Sequence, residues 1–300
     1  MPTTTQGSRL RELLANLLRG IAMGTFDVIP GVSGGTVALI AGIYERLIGS
    51  LRAGAGFLLA AVRFDAEGLR RRWQEIDWAL LLPLLAGVAG AILTLARVIE
   101  PLLDDYPVQM RALFSGLILA SLAVPFRRIS AHTPTTVGAL VAAVVVAFVL
   151  TGLPPGEISD PNLLLVFGAA AVALTAMILP GVSGAFLLMA MGMYAPTLAA
   201  LNDRDLGYVA VFMAGGIVGL GVMAKVIGYL LETRHDLTMS VLLGLMIVAL
   251  RALWPWQDAA RGLQAPVIDG TFLPAMGMAV AGFVAVSAMI MLGQRSLDRT

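Results

Sequence analysis

Two short stretches of the chain carry residues suited to holding an anion. The first reads DVIPGVSGGT (Asp27–Thr36) and the second ILPGVSGAF (Ile178–Phe186). In each, a proline lacks the amide donor and crowds the helical turn before it, so a helix must break there. The glycines after it admit tight or left-handed backbone. Proline also suits the first turn of a new helix, which predicts fresh helices starting near Gly31 and Gly181. The first amides of such a helix lack internal partners and lie at the positive end of its dipole. Gly31, Ser33, Gly34, Gly35 and Thr36 thus form one candidate anion cradle, and Gly181, Ser183, Gly184 and Ala185 a second. The plainer reading is a kinked spanning helix stabilised by small-residue packing. Two motifs at matching positions favour a site.

Charged residues inside apolar runs add to this. Arg97 in ARVI (Ala96–Ile99) and Lys225 in AKVI (Ala224–Ile227) occupy equivalent places, and Lys225 is the only lysine in the chain. It lies about six residues, or roughly 9 Å, from the centre of its predicted span. A cation at that depth faces a cavity or a partner, unless it snorkels to the headgroups. Both basic residues are therefore candidate anion ligands. Asp27 lies three residues before Pro30, and its repeat mate is Met177. It could carry a coupling proton or sodium ion, or act as a fixed counter-ion to Arg97 or Lys225. Glu45 is a weaker candidate for coupling and more readily interfacial. Arg251, beside Trp254 and Trp256, suits an interfacial anchor.

The elements that position these residues can be read from composition and repetition. Of 300 residues, 58% are hydrophobic and 13% charged, against about 45–50% and about 25% in soluble domains. Lipid must solvate much of such a chain, and roughly 20 apolar residues suffice for one crossing. The net charge is +1 and no basic tract is interleaved with aromatics, so nucleic acid is not an expected partner. The absence of cysteine excludes disulfides and thiolate metal sites. His132 and His235, both in predicted loops, offer little for a metal site, and no cofactor is expected. Residues 13–29 are interrupted by Arg19 and Asp27 and lack a cleavage site, so they read as mature protein rather than a leader.

TFDVIPGVSGGTVALIAGIY (Thr25–Tyr44) matches TAMILPGVSGAFLLMAMGMY (Thr175–Tyr194) at an offset of 150 residues. LFSGLILASL (Leu113–Leu122) matches VLLGLMIVAL (Val241–Leu250) at 128, the same offset as ARVI and AKVI. Such self-similarity indicates duplication. The shortfall is assigned to an arginine-rich connection near Leu51–Asp77. Each half contains a broken apolar segment and then three plain spans. These are predicted at 17–48, 78–99, 110–126 and 136–153, and at 161–201, 206–231, 238–254 and 271–292, which divides the chain into 1–155 and 156–300.

Arginines at 9, 11, 52, 63 and 70–72 flank the first broken segment on both sides, which predicts that it enters and returns on the cytoplasmic face. An odd number of crossings per half then inverts the second half, with both termini cytoplasmic. The predicted fold is an all-α polytopic membrane protein of two inverted-topology repeats. Each has a broken or re-entrant helical hairpin at PGVSG plus three transmembrane helices, an arrangement common in secondary transporters.

The paired PGVSG motifs, with GLILASL (Gly116–Leu122) and GLM…LRALWPW (Gly244–Trp256), resemble the bacterial polyprenyl-phosphate (undecaprenyl-phosphate) transporter family over nearly the whole chain. The resemblance implies a plasma-membrane protein that recycles undecaprenyl phosphate from the outer to the inner leaflet. The lipid phosphate would rest on the two cradles with help from basic residues. The second motif departs from the first in carrying Ala185 for Gly35 and Phe186 for Thr36, so equal use of the two cradles is not expected.

The residues alone also admit a secondary transporter or channel for a small soluble anion. An intramembrane phosphatase is disfavoured, because phosphoryl chemistry needs an activated nucleophile and no serine here has an evident base beside it. Oligomeric state is left open.

Overall fold

The computed structural model describes residues 6–27, 33–152, 156, 158–258 and 262–297. Those of the first half form helices α1 (Gln6–Asp27), α2 (Gly34–Ile40), α3 (Tyr44–Val62), α4 (Ala66–Glu75), α5 (Trp78–Asp105), α6 (Pro107–Ser121), α7 (Ala123–Arg128) and α8 (Pro134–Thr151). Those of the second form α9 (Leu163–Ile178), α10 (Gly184–Ala190), α11 (Tyr194–Asn202), α12 (Leu206–Thr233), α13 (His235–Ala252) and α14 (Phe272–Leu297).

Several long helices begin at a capping side chain. Asp77 accepts from the Leu80 amide to open α5, Thr133 from Thr136 to open α8, and Asp205 from Tyr208 to open α12. Such caps satisfy amides that the helix itself leaves unpaired. Among the described residues, six elements are long and apolar enough to cross a membrane: α5, α6 continued by α7, α8, α12, α13 and α14. These match the six plain spans predicted. Val141, Val145 and Val149 of α8 are each more than half exposed, as expected for a face solvated by lipid rather than water.

The spans interlock. α1 packs on α5 and α9 on α12, while α6 packs on α14 and α13 on α8. Close approach depends on small residues, which lipid-embedded helices use in place of a hydrophobic driving force. At Gly116 a side chain would strike the Ala279 carbonyl, and at Gly244 a Cβ would lie 2.7 Å from the Leu140 carbonyl oxygen.

One predicted connection is replaced by ordered structure. Leu51–Asp77 is a helical hairpin: α3 runs on to Val62, the chain turns at Phe64 (φ 54°), and α4 folds back. The Asp65 carboxylate caps α4 by accepting from the Gly68 amide at 2.9 Å. Trp73 packs between Phe57 and Trp78 in tilted ring contacts, with centroids 5.6 and 4.4 Å away. These contacts, and packing of α3 on α12, order the arginine-rich connection.

Candidate functional site

The short helices α2 and α10 begin at Gly34 and Gly184, three residues later than the sequence predicts. The reason is local. Ser33 and Ser183 are extended (φ −136° and −98°) and act as N-caps, their hydroxyls accepting from the Gly35 amide at 3.1 Å and the Phe186 amide at 3.4 Å. Both helices end at a left-handed glycine, Gly42 (φ 69°) and Gly192 (φ 73°). Matching amides close both turns, Ile43 to the Ala38 carbonyl and Met193 to the Leu188 carbonyl. α3 and α11 then start at Tyr44 and Tyr194. The helix starts, helix ends and turns all recur 150 residues apart, as 34 and 184, 40 and 190, 42 and 192, and 44 and 194. The second pair, α10 and α11, is bent by 108°.

The two breaks meet. The Ser33 hydroxyl donates to the Met177 carbonyl at 3.0 Å, and the Gly181 amide donates to the Thr36 hydroxyl at 3.1 Å. Gly35 lies against the second break so closely that a Cβ there would sit 2.6 Å from the Ile178 carbonyl oxygen. Gly181 has φ +83° and faces the Met246 backbone, so both its conformation and its surroundings require glycine. Gly31 lies outside the described residues.

The first break is closed. Ser33 and Thr36 are buried, and the Gly34 amide donates to Asp27 Oδ1 at 2.6 Å. The chain's own carboxylate therefore takes a donor that the sequence assigns to an external anion. The second break is open. Ser183, Gly184 and Ala185 line a cavity of about 360 Å³, with Asp27, Tyr194 and Thr197 also on its wall. Thr197 and Tyr208 share a hydroxyl–hydroxyl hydrogen bond of 2.8 Å behind it.

The other predicted ligands lie elsewhere. Lys225 is exposed and lines a separate cleft with Arg52, Arg63 and Arg72, sharing no wall residue with the cavity at the second break. The expectation that Lys225 joins the cradle is thus not met: α12 presents it to the α3–α4 hairpin. Arg97 belongs to α5, and its side chain lies outside the described residues. The Glu45 carboxylate pairs with Arg128 at 3.0 Å and approaches His235 at 3.8 Å in an exposed cluster. Arg251 donates to the Phe148 carbonyl at 2.7 Å and lies over its ring, tying α13 to α8. Among the described residues no three His, Asp or Glu side chains are grouped to hold a metal ion.

Sequence reasoning misses Tyr194 and Thr197 as wall residues. Tyr194 stands out only as a repeat flank, and Thr197 lies three residues beyond it, on the same helix face.

A polytopic helical membrane protein with two chain breaks joined to each other, and a cavity beside one of them, has the build of a membrane carrier. Residues 23–271 match the family model described as undecaprenyl phosphate translocase-like. A polyprenyl-phosphate transporter of Vibrio cholerae is 36% identical over 267 residues, covering 87% of this chain and 86% of the relative. A polyprenyl-phosphate transporter of Staphylococcus aureus is 28% identical over 257 residues, covering 80% of this chain and 86% of that relative. The chain belongs to the undecaprenyl phosphate translocase-like family. Its relatives are named as transporters, which agrees with the expectation of a carrier rather than an enzyme. No solved structure matches the chain.

Proposed function

We propose that this chain carries polyprenyl phosphate, undecaprenyl phosphate above all, from the outer to the inner leaflet of a bacterial plasma membrane. The observation that supports this most is the cavity at the second break, where Ser183, Tyr194 and Thr197 bring hydroxyls into a wall made mostly of apolar side chains. In this reading the phosphate head rests against Ser183, Gly184 and Ala185. The prenyl tail leaves past Leu174, Leu198 and Leu201 into lipid, so only the head crosses.

Asp27 gives the cavity a second role. A phosphate arriving there meets a carboxylate that already holds the Gly34 amide. Two anions in one apolar pocket repel strongly. Entry of the phosphate then requires Asp27 to take up a proton or a sodium ion to accompany the lipid, which couples transport to an ion gradient. The first break does not bind substrate in this reading. It serves as the seam against which the second hairpin moves.

The inverted arrangement of the halves is part of the same proposal. Exchange of partners between them, α6 with α14 and α13 with α8, supports a two-fold relation in the membrane plane. The arginine bias around the first hairpin supports cytoplasmic termini.

Purified protein in liposomes tests the function. It should accelerate transbilayer movement of a fluorescent polyprenyl phosphate, and Ser183→Ala should slow this by about tenfold, the loss of one charge-assisted hydrogen bond. Short-chain prenyl phosphates should compete, and inorganic phosphate at equal concentration should not. No acceleration by the wild type would refute the proposal, and competition by inorganic phosphate alone would favour a carrier of small anions.

A further inference from the structure

The lone lysine of the chain lies where α3 crosses α12. Glycines flank it on the same helix: a Cβ at Gly221 would lie 2.8 Å from Ala55 Cβ, and one at Gly228 would lie 3.3 Å from Arg52. These contacts hold α3 close to α12 within a turn or so on either side of Lys225. The returning helix α4 then lays Arg72 across α3, its Nε 2.9 Å from where a Cβ on Gly56 would be. The result is a cleft of about 260 Å³ between α3, α4 and α12, with Leu59 and Ala60 in its wall.

Five basic side chains line this cleft: Arg52, Arg63, Arg71, Arg72 and Lys225. The nearby carboxylates offset only part of that charge. Glu232 pairs with Arg52 at 2.6 Å, Glu75 pairs with Arg72 at 2.6 Å, and Asp65 is engaged in capping α4. Arg63 and Lys225 have no ion-pair partner among the described residues. Five cations against three carboxylates leave the cleft with two positive charges in excess. Trp73 and Phe64, next in sequence to Arg72 and Arg63, are exposed, and exposed aromatics beside basic residues mark the headgroup level of a bilayer.

We propose that this cleft is a second phosphate site, built for a phosphate monoester or free phosphate and distinct from the cavity at the second break. A monoester carries about 1.5–2 negative charges at neutral pH, which the excess charge balances. Arg63 offers a fork to two phosphate oxygens and Lys225 a point charge. The ligand is either a lipid-borne headgroup, its chain lying along Leu59, or phosphate from the aqueous side. The site does not rest on the transport reading, since the two pockets share no residue.

The chain contains no cysteine, so Leu59→Cys can carry the only thiol-linked fluorophore, placed in this cleft. The labelled protein in phosphatidylcholine nanodiscs would be titrated with geranyl phosphate and, separately, with inorganic phosphate. Geranyl phosphate should change the emission, and the double variant Arg63→Gln/Lys225→Gln should weaken its affinity at least tenfold. Lys225→Arg, which keeps the charge, should bind as the parent does and shows that the fold is retained. A response to both probes identifies free phosphate as sufficient, and a response to geranyl phosphate alone identifies a lipid headgroup. No response to either probe, or a response the double variant keeps in full, would overturn the proposal. Failure of the transport assay would leave this response unchanged, because the label reads this cleft alone.

Discussion

At the first break, Ser33 and Thr36 are sealed from solvent and their hydroxyls hold the other break. At the second, Ser183 and Ala185 stand in the wall of a cavity. The core sequence PGVSG is shared, so the difference arises from the residues on either side of it. Gly35 admits the Ile178 carbonyl where Ala185 could not, and Thr36 supplies an acceptor where Phe186 has none. Asp27 reaches the Gly34 amide, while its mate Met177 offers only a backbone carbonyl to Ser33. Further along, Tyr44 is buried whereas Tyr194 faces the cavity. A duplicated motif has become a latch in one half and an open wall in the other.

Substitutions at paired positions should expose this asymmetry most strongly where backbone meets backbone. Gly35→Val forces a side chain into the Ile178 carbonyl and should destabilise the protein by about 3 kcal/mol, lowering the unfolding temperature in nanodiscs and abolishing transport. Ala185→Val, in the cavity wall, should cost less than ~1 kcal/mol. Comparable losses at both sites would erase the distinction. Thr36→Val keeps the shape but leaves the Gly181 amide without its acceptor, a loss of about 2 kcal/mol; the same thermal measurement reads it.

The serines separate stability from transport. Ser33→Ala removes a cap and a cross-break bond and should cost about 1–2 kcal/mol. Ser183→Ala removes a cap whose hydrogen bond is longer, so its stability cost should be near 0.5 kcal/mol, with the larger effect on lipid movement. The smallest change is expected at Glu45→Gln, in an exposed pair with Arg128, at roughly 0.5 kcal/mol or less, with transport unaffected. A transport defect there would move ion coupling away from Asp27.

Much of the scaffold is legible in the sequence, because lipid enforces long apolar runs and each proline–glycine break interrupts one. The offset of 150 residues between Thr25–Tyr44 and Thr175–Tyr194 aligns helix starts, turns and caps. The features that sequence does not reveal depend on contacts between distant segments. Nothing near Lys225 in the sequence shows that Arg63 and Arg72 approach it, since α3 and α4 lie about 150 residues earlier. The hairpin over Leu51–Asp77 reads only as an arginine-rich connection, because the contacts of Trp73 with Phe57 and Trp78 form only once α4 folds back on α3. The late start of α2 and α10 reflects serine capping, which competes with proline as a signal for the first helical turn. Asp27 stands out in the sequence as ionisable, yet nothing in the sequence shows that its carboxylate takes the Gly34 amide, seven residues onward.

Thiol accessibility would test the division between latch and wall most directly. Ser183→Cys and Ser33→Cys, each in the otherwise cysteine-free chain, would be exposed in liposomes to a small, water-soluble thiol reagent with and without polyprenyl phosphate. The account predicts that Ser183→Cys reacts and is protected by the lipid, while Ser33→Cys stays unreacted in both conditions. Equal labelling at the two positions, or labelling at Ser183→Cys that the lipid leaves unchanged, would contradict it.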